Sequence, residues 1–305
     1  MLLLTQSELT SHADCPLGWN FKYVENLRPK VRSVKLAVGG AVHRGVEAFY
    51  NREENPLETV KEYCANVRRQ AVERGILLDD DFDVQLEKAV IMSEIYFDVY
   101  RNDLDIYDVN EVEYKFEVPI PGMRGIRITG KMDRLMTHKE SGILHLTETK
   151  TAAQWDSDIN RLMLDFQISL YAWAISKIFK QEDVLVLYDV IRKPMIRIKK
   201  DEDNQSFLER VKSTMNEDRE KYFIRHKILR SKHEIERTED EIRMRAREIR
   251  RMRKERTIYR TPGDHCSWKC DFRKVCIENT PEMKEALYLT ADDIHEELRP
   301  QTNFA

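Results

Sequence analysis

Two short runs, Gly130-Lys131-Met132-Asp133 and Glu148-Thr149-Lys150, hold residue types that can do chemistry together. Residues two apart in a strand share a face, so Glu148 and Lys150 project to one side. The turn between the runs can bring Asp133 onto the adjacent strand. Two carboxylates converging there make a hard, oxygen-rich site for Mg²⁺ or Mn²⁺. An ion in such a site makes a bound water more acidic and neutralises charge on a phosphate. Lys150 beside it could orient that water or stabilise developing negative charge. The same three residue types on neighbouring strands also make an ordinary surface charge ladder, so the context decides. His43, on a helix whose start Gly39-Gly40 loosens, could add a nitrogen ligand, although a lone helical histidine is more often structural. Gln167 and Tyr171 stand four apart on one helical face, where both could bond to a phosphate or to the site.

The chain has five cysteines, Cys15, Cys64, Cys266, Cys270 and Cys276, an odd number that argues against a disulfide framework. Three of them fall between positions 266 and 276, with Pro262-Gly263 ahead and Trp268 and Phe272 around them. Three thiols so spaced seek a fourth ligand. His265 or Cys64 would complete a zinc site, and Cys15 would tie the chain's two ends together. Cys64, in the middle of a helix, is most simply a core residue.

The elements that must position these residues follow from periodicity. Apolar spacing predicts helices over 5–26, 36–51, 57–74, 84–103 and 158–180. Strands are predicted over 111–120, 124–136 and 143–150, joined by Pro121-Gly122 and by the turn 137–142, with further strands over 184–190 and 195–198. This describes an α/β chain, a central sheet flanked by helices with chemistry at strand ends. Residues 205–257 carry almost no Gly or Pro and are charged on most faces, which predicts one or two long helices, a helical hairpin or an arm. The expected organisation is a core over 1–200 with 258–280, a helical insertion over 201–257 and an acidic tail over 281–305.

The order Gly40-x-x-His43, Gly130-x-x-Asp133, Glu148-x-Lys150, Gln167-x-x-x-Tyr171 resembles the RecB-like exonuclease branch of the PD-(D/E)XK superfamily. The resemblance implies a restriction-endonuclease-like mixed β-sheet flanked by helices. It implies His43, Asp133, Glu148 and the Thr149 carbonyl as ligands for Mg²⁺ or Mn²⁺, Lys150 as the catalytic lysine, and Gln167 and Tyr171 as the family's Gln-x-x-x-Tyr motif. Glu113 matches an acidic position that often precedes the Asp, and Met132 stands where the family has Pro. Cys15, in the run Ser7…Cys15-Pro16…Tyr23-Val24, taken with Cys266, Cys270 and Cys276, is similar to the iron–sulfur staple of CRISPR-associated exonucleases and AddB-type nucleases. That likeness implies a [4Fe–4S] cluster with a structural role, since hydrolysis needs no electron. The implied activity is a metal-dependent DNA exonuclease acting in recombination, repair, phage replication or CRISPR adaptation, with protein partners in such complexes. The alternative is a non-catalytic, nuclease-like DNA-binding subunit of a larger complex; no motif position is lost, which favours activity. A zinc-ribbon regulatory protein is a weaker third reading.

A net charge of −3 over 305 residues argues at first against a nucleic-acid binder, but the distribution is polarised. Eight of the fourteen residues from Arg243 to Arg256 are Arg or Lys, while acids crowd 79–83 and the tail. Lys30, Arg32, Lys35, Arg250, Arg251 and Arg253 are therefore the expected phosphate contacts, for sequence-independent binding of single strands or free ends. Trp155 and Trp268 could stack on bases, though core packing is the commoner role. No apolar run approaches the roughly 20 residues that span a bilayer. The first residues lack a basic n-region, so a cytoplasmic location is expected.

Overall fold

Three glycines in the left-handed region, Gly122 (φ 76°), Gly125 (φ 77°) and Gly142 (φ 66°), turn the chain at its two hairpins. The strands they join are long because β-branched and aromatic residues alternate on both sides of each turn. The computed structural model describes residues 1–30, 34–73, 81–153, 159–295 and 298. In chain order the elements are β1 (Leu2–Leu4), α1 (Gln6–Asp14), α2 (Pro16–Tyr23), β2 (Leu27–Pro29), α3 (Val34–Tyr50), α4 (Pro56–Glu73) and α5 (Phe82–Val99). There follow α6 (Asp103–Ile106), β3 (Tyr107–Pro119), β4 (Ile126–His138), β5 (Leu144–Ala152), α7 (Ile159–Met163), α8 (Phe166–Phe179) and β6 (Val184–Arg192). The last are α9 (Asn204–Glu217), α10 (Arg219–Tyr222), β7 (Phe223–Arg230), α11 (Lys232–Glu255), α12 (His265–Trp268), α13 (Arg273–Ile277), α14 (Pro281–Leu287) and β8 (Tyr288–Thr290).

The main sheet has six strands in the order β1-β4-β5-β6-β7, with β3 paired along the other edge of β4. It is mixed: β3/β4, β4/β5 and β6/β7 run antiparallel, β1/β4 and β5/β6 parallel. One core joins α1, α2, α8 and α11 to the sheet through Leu9, Trp19, Leu170, Trp173, Ile242 and Ile249. The second joins α3, α4, α5 and α9 to it through Val42, Val46, Val60, Met92, Val211 and Met215. This is the α/β arrangement expected, a mixed sheet flanked by helices.

Several elements differ from their expected form for local reasons. The helix expected over 5–26 is two helices, because Pro16 takes the first turn of α2 and Cys15 before it is extended (φ −162°). The helix expected over 158–180 breaks at Leu164-Asp165, where the Asp165 side chain accepts from the Gln167 and Ile168 N–H groups and caps α8. Gly39-Gly40 do not loosen α3, which runs unbroken from Val34; a Cβ on Gly40 would fall 2.3 Å from the Tyr63 hydroxyl, so this glycine serves the close approach of α4. Residues 195–198 form no strand. The strand lies instead inside the stretch expected to be all helix, since Phe223–Arg230 is β7 and pairs along β6. A capping box at Ser231 and Glu234 then starts α11, whose Ile235, Ile242, Ala246, Ile249 and Met252 are buried in the core. The segment is thus built into sheet and core. In the tail, β8 pairs with β2.

Beneath the centre of the sheet lies a buried ionic network. Asp189 of β6 is fully buried and accepts from Arg134 (3.2 Å), from Arg225 (2.6 and 2.8 Å) and from the Tyr96 hydroxyl (2.8 Å). Arg225 also reaches Asp103 at 2.8 Å, and the Arg134 guanidinium lies 4.2 Å from the Tyr50 ring centroid. Burial alone would raise the Asp189 pKa, yet Arg225 and Arg134 hold it below the usual carboxylate range. A lowered pKa in the folded state adds stability above the unfolded value, lost as pH falls through the folded one. Asp189→Asn leaves two buried guanidiniums under-compensated and is expected to cost about 3–5 kcal/mol near neutral pH, less in acid. Urea unfolding measures it, and a loss below about 1 kcal/mol would refute the network's role.

Candidate active site

The ladder between β4 and β5 is short, Arg134–Thr137 against Leu144–Thr147. Beyond the Arg134–Thr147 pair the strands part, and β1 takes up β4 again only at Ile126–Ile128. The next residue on each strand past that pair is Asp133 on β4 and Glu148 on β5. The Thr149 N–H turns into this notch and donates to Asp133 Oδ2 at 2.7 Å. A strand residue directs its N–H and C=O to the same edge, so the Thr149 carbonyl opens on the notch as well.

The other predicted residues arrive from both faces. His43, from the middle of α3, places Nδ1 3.7 Å from Asp133 Oδ2. Gln167, in the first turn of α8, donates from Nε2 to Glu148 Oε1 at 2.6 Å. Lys150 is exposed, two residues along β5 on the side of Glu148. Tyr171, one turn further along α8, packs edge-on to Phe116 with ring centroids 5.8 Å apart. Gly130 is required there, because a Cβ would come within 2.6 Å of the Phe116 ring. Glu113 adopts a left-handed φ of 55° and ion-pairs with Lys131, so its carboxylate lies among these groups.

The electrostatics of the notch depend on burial. Glu148 is 5% exposed, and burial followed by the Asp133 charge pushes its pKa well above the usual carboxylate value. Burial likewise draws the His43 pKa down against the pull of Asp133, with Lys150 adding to the fall. Its imidazole is thus neutral and able to donate a lone pair. Burial also raises Glu113, opposed by Lys131 and helped by Asp133 and Glu47.

Glu148 Oε2 is buried and has no hydrogen-bond partner among the described residues. A buried carboxylate oxygen without a donor, with a second carboxylate, a neutral imidazole and a carbonyl nearby, is a donor set that suits a hard dication. Among the described residues no three His, Cys, Asp or Glu side chains are drawn together tightly enough to hold an ion as they stand, so binding one requires them to close.

A family model described as the PD-(D/E)XK nuclease superfamily matches residues 3–277. The chain belongs to the PD-(D/E)XK nuclease superfamily. Its members are usually nucleases that use divalent cations such as Mg²⁺, so cleavage of nucleic acid is the activity this membership supports. No curated protein matches the chain. A solved structure described as the crystal structure of SSO0001 is 16% identical, covers 70% of this chain and 81% of that one, and has a TM-score of 0.23, a likeness too distant to carry any argument.

In this PD-(D/E)XK chain Cys15, Cys266, Cys270 and Cys276 line one cavity of about 180 Å³, together with His265. The Thr261 N–H lies 3.5 Å from Cys15 Sγ, tying the α1–α2 corner to the C-terminal loop. The four thiols form no disulfide, and among the described residues they are not drawn into a coordinating group. Cys64 belongs elsewhere, in the α3–α4–α5 core, where burial pushes its pKa up to about 12.

Of the expected phosphate contacts, Lys30 and Arg250 are exposed. Arg251 spans Glu248 and Glu255 at 3.8 and 3.7 Å. Arg253 turns inward to Glu8 at 2.8 Å and lies over Trp19, so the fold already engages it. Arg32, the Lys35 side chain and Trp155 lie outside the described residues, and Trp268 is exposed near the cysteines. Among the described residues no helix is long and apolar enough to cross a membrane.

Sequence reasoning missed Glu47, Lys131, Asp165 and Arg134 around the site. Glu47 could have been found, since it stands four residues after His43 on the same helical face. A raised Glu148 pKa means that the folded protein binds more protons than the unfolded chain between the ordinary and raised values, so metal-free stability falls as pH rises through that window. Glu148→Gln removes this penalty and keeps an acceptor for Gln167, so the metal-free variant should melt higher than wild type near neutral pH. A lower Tm for the variant overturns that account.

Proposed function

We propose that the protein is a Mg²⁺- or Mn²⁺-dependent deoxyribonuclease of exonuclease type, acting on single strands or free ends. The observation that carries the reading is Asp133 and Glu148 where the β4–β5 ladder parts, with one Glu148 oxygen buried and unpartnered among the described residues. His43, Asp133, Glu148 and the Thr149 carbonyl would hold the ion. When bound, a divalent cation supplies Lewis-acid charge to a phosphodiester and acidifies water near it. Gln167 holds Glu148 by its Oε1 and so fixes which oxygen faces the notch. Asp133 is oriented by the Thr149 N–H. Lys150, exposed beside both carboxylates, would orient the attacking water and stabilise charge developing on the phosphate. Tyr171 backs Gly130 and keeps β4 in place. Lys30, Arg32, Lys35, Arg250 and Arg251 are assigned to the nucleic-acid backbone, and Arg253 to holding α11 against α1.

Lys150→Ala is expected to lower cleavage of single-stranded DNA with Mn²⁺ about 10²–10³-fold, and Asp133→Asn, which keeps an acceptor for Thr149, to abolish it, both with the fold retained. Digestion at wild-type rates by either variant sinks the assignment.

The cysteine cavity is assigned to a [4Fe–4S] cluster held by Cys15, Cys266, Cys270 and Cys276. Four thiols on one small, largely apolar cavity that joins both ends of the chain support this. Protein purified without oxygen is expected to be brown, with the visible absorption of thiolate-bound iron. A colourless protein carrying stoichiometric zinc overturns it in favour of a zinc site closed by His265, since Cys64 lies in the other core.

A further inference from the structure

Two arginines of the charged stretch 205–257 converge on the corner between α7 and α8. Arg230 of β7 is 1% exposed, donates to the Leu162 carbonyl at 2.6 Å and lies 3.3 Å from the Met163 sulfur. Arg245 of α11 sets its guanidinium 3.9 Å from the Phe166 ring centroid. Inside the corner the Leu164 N–H bonds to the Arg161 carbonyl and the Asp165 N–H to the Leu162 carbonyl, both at 3.1 Å, which tightens the last turn of α7. Asp165 then turns extended, with ψ at 116°, so one helix stops and the next begins.

Asp165 is the residue that starts it. Its Oδ1 accepts from the Gln167 N–H at 2.8 Å and from the Ile168 N–H at 3.1 Å, and its carbonyl accepts from the Ser169 hydroxyl at 2.9 Å. The two N–H groups are among those that a helix start leaves without intrahelical partners. One of them belongs to Gln167, whose side chain donates to Glu148 Oε1 at 2.6 Å. A line of contacts therefore runs from the Asp165 carboxylate through the Gln167 backbone and amide to Glu148. At its end Glu148 is 5% exposed, with Oε2 unpartnered among the described residues. Without the cap the first turn of α8 holds two unpaired donors and frays, and Gln167 stands in that turn.

We propose that Asp165 is a positioning residue for the metal site: by capping α8 it sets Gln167, and through Gln167 it holds Glu148 with one oxygen turned to the notch. The proposal rests on the nuclease reading and adds a residue that governs the ion's affinity without touching it. Titrating Mn²⁺ into the full chain, with the free ion followed by electron paramagnetic resonance, reads that affinity without any cleavage. Gln167→Leu should weaken Mn²⁺ binding about 10–100-fold, as loss of a partner to a ligating carboxylate does. Asp165→Ala should weaken it several-fold, and Asp165→Asn, which caps a helix equally well, should bind as wild type does. The double variant of Asp165→Ala with Gln167→Leu should match Gln167→Leu alone, because residues acting through one line of contacts are not additive. An asparagine variant as weak as the alanine one means that the Asp165 charge acts on the ion directly, and this overturns the proposal even where the alanine variant does not fold. Additive losses in the double variant overturn it too. So does an Asp165→Ala protein that melts lower yet binds Mn²⁺ as wild type does, the result of a purely structural cap. A wild-type chain that binds no Mn²⁺ refutes the metal reading itself, and the proposal falls with it.

Discussion

The hydrogen bond from the Thr149 N–H to the Asp133 carboxylate closes the end of a β-ladder that stops after four residue pairs. A continuous ladder would have given that N–H to the β4 backbone and drawn Asp133 and Glu148 side by side at van der Waals distance. Two ionised carboxylates so placed repel one another strongly in a buried setting. Parting the strands relieves that repulsion and leaves a notch between them, while the carboxylate satisfies the backbone donor that the parting would otherwise strand. The same hydrogen bond therefore ends the pairing and aims the carboxylate. The position of β1 on β4, three residues wide at the far end, keeps the unpaired stretch from being zipped shut.

A gap in the middle of a sheet is tolerable only if its walls are held from elsewhere. Arg134, the neighbour of Asp133, points away from the notch, bonds to the Thr149 hydroxyl at 3.0 Å and pairs with Asp189 on β6. Thr149 and Asp189 are themselves partners across β5 and β6. One guanidinium thus braces β4, β5 and β6 directly below the point where β4 and β5 separate. Two guanidiniums and two carboxylates, Arg134, Arg225, Asp189 and Asp103, make this network neutral as a unit, which is why it can be buried. Its geometry supplies rigidity under the site that the missing ladder bonds do not.

How much of this was legible in the sequence differs from residue to residue. Asp133, Glu148 and Lys150 were legible because strand alternation is a strict period of two, and Gln167 because a four-residue step on a helix is equally strict. The parted ladder was not: nothing in Arg134-Leu135-Met136 or Leu144-His145-Leu146 marks where pairing ends, because that depends on β1 arriving from the other end of the chain. β7 was missed because Arg225, Lys227 and Arg230 disguise a strand whose partners, β6 and Asp189, are remote in sequence. The breaks at Cys15 and Asp165 were written in local chemistry, a proline and a capping carboxylate, and a stricter reading of helix starts would have found both.

The arrangement of charge explains why the notch takes the character it does. Arg134 stands next to the carboxylates but is committed to Asp189, and Lys131 is committed to Glu113. Neither is available to neutralise Asp133 and Glu148 together. At an effective dielectric constant near 20, two unit charges about 4 Å apart interact by about 4 kcal/mol, so the two carboxylates cannot both stay ionised and buried without compensation. Proton uptake by Glu148 is one answer, and its raised pKa expresses it. A dication is the other, and it suits the unpartnered Glu148 oxygen, the neutral His43 and the Thr149 carbonyl in a way a proton does not. Lys150 remains exposed, and among the described residues no ion pair commits it to the fold. Lys150 is thereby set apart from Arg134 and Lys131, the cations that the fold already engages.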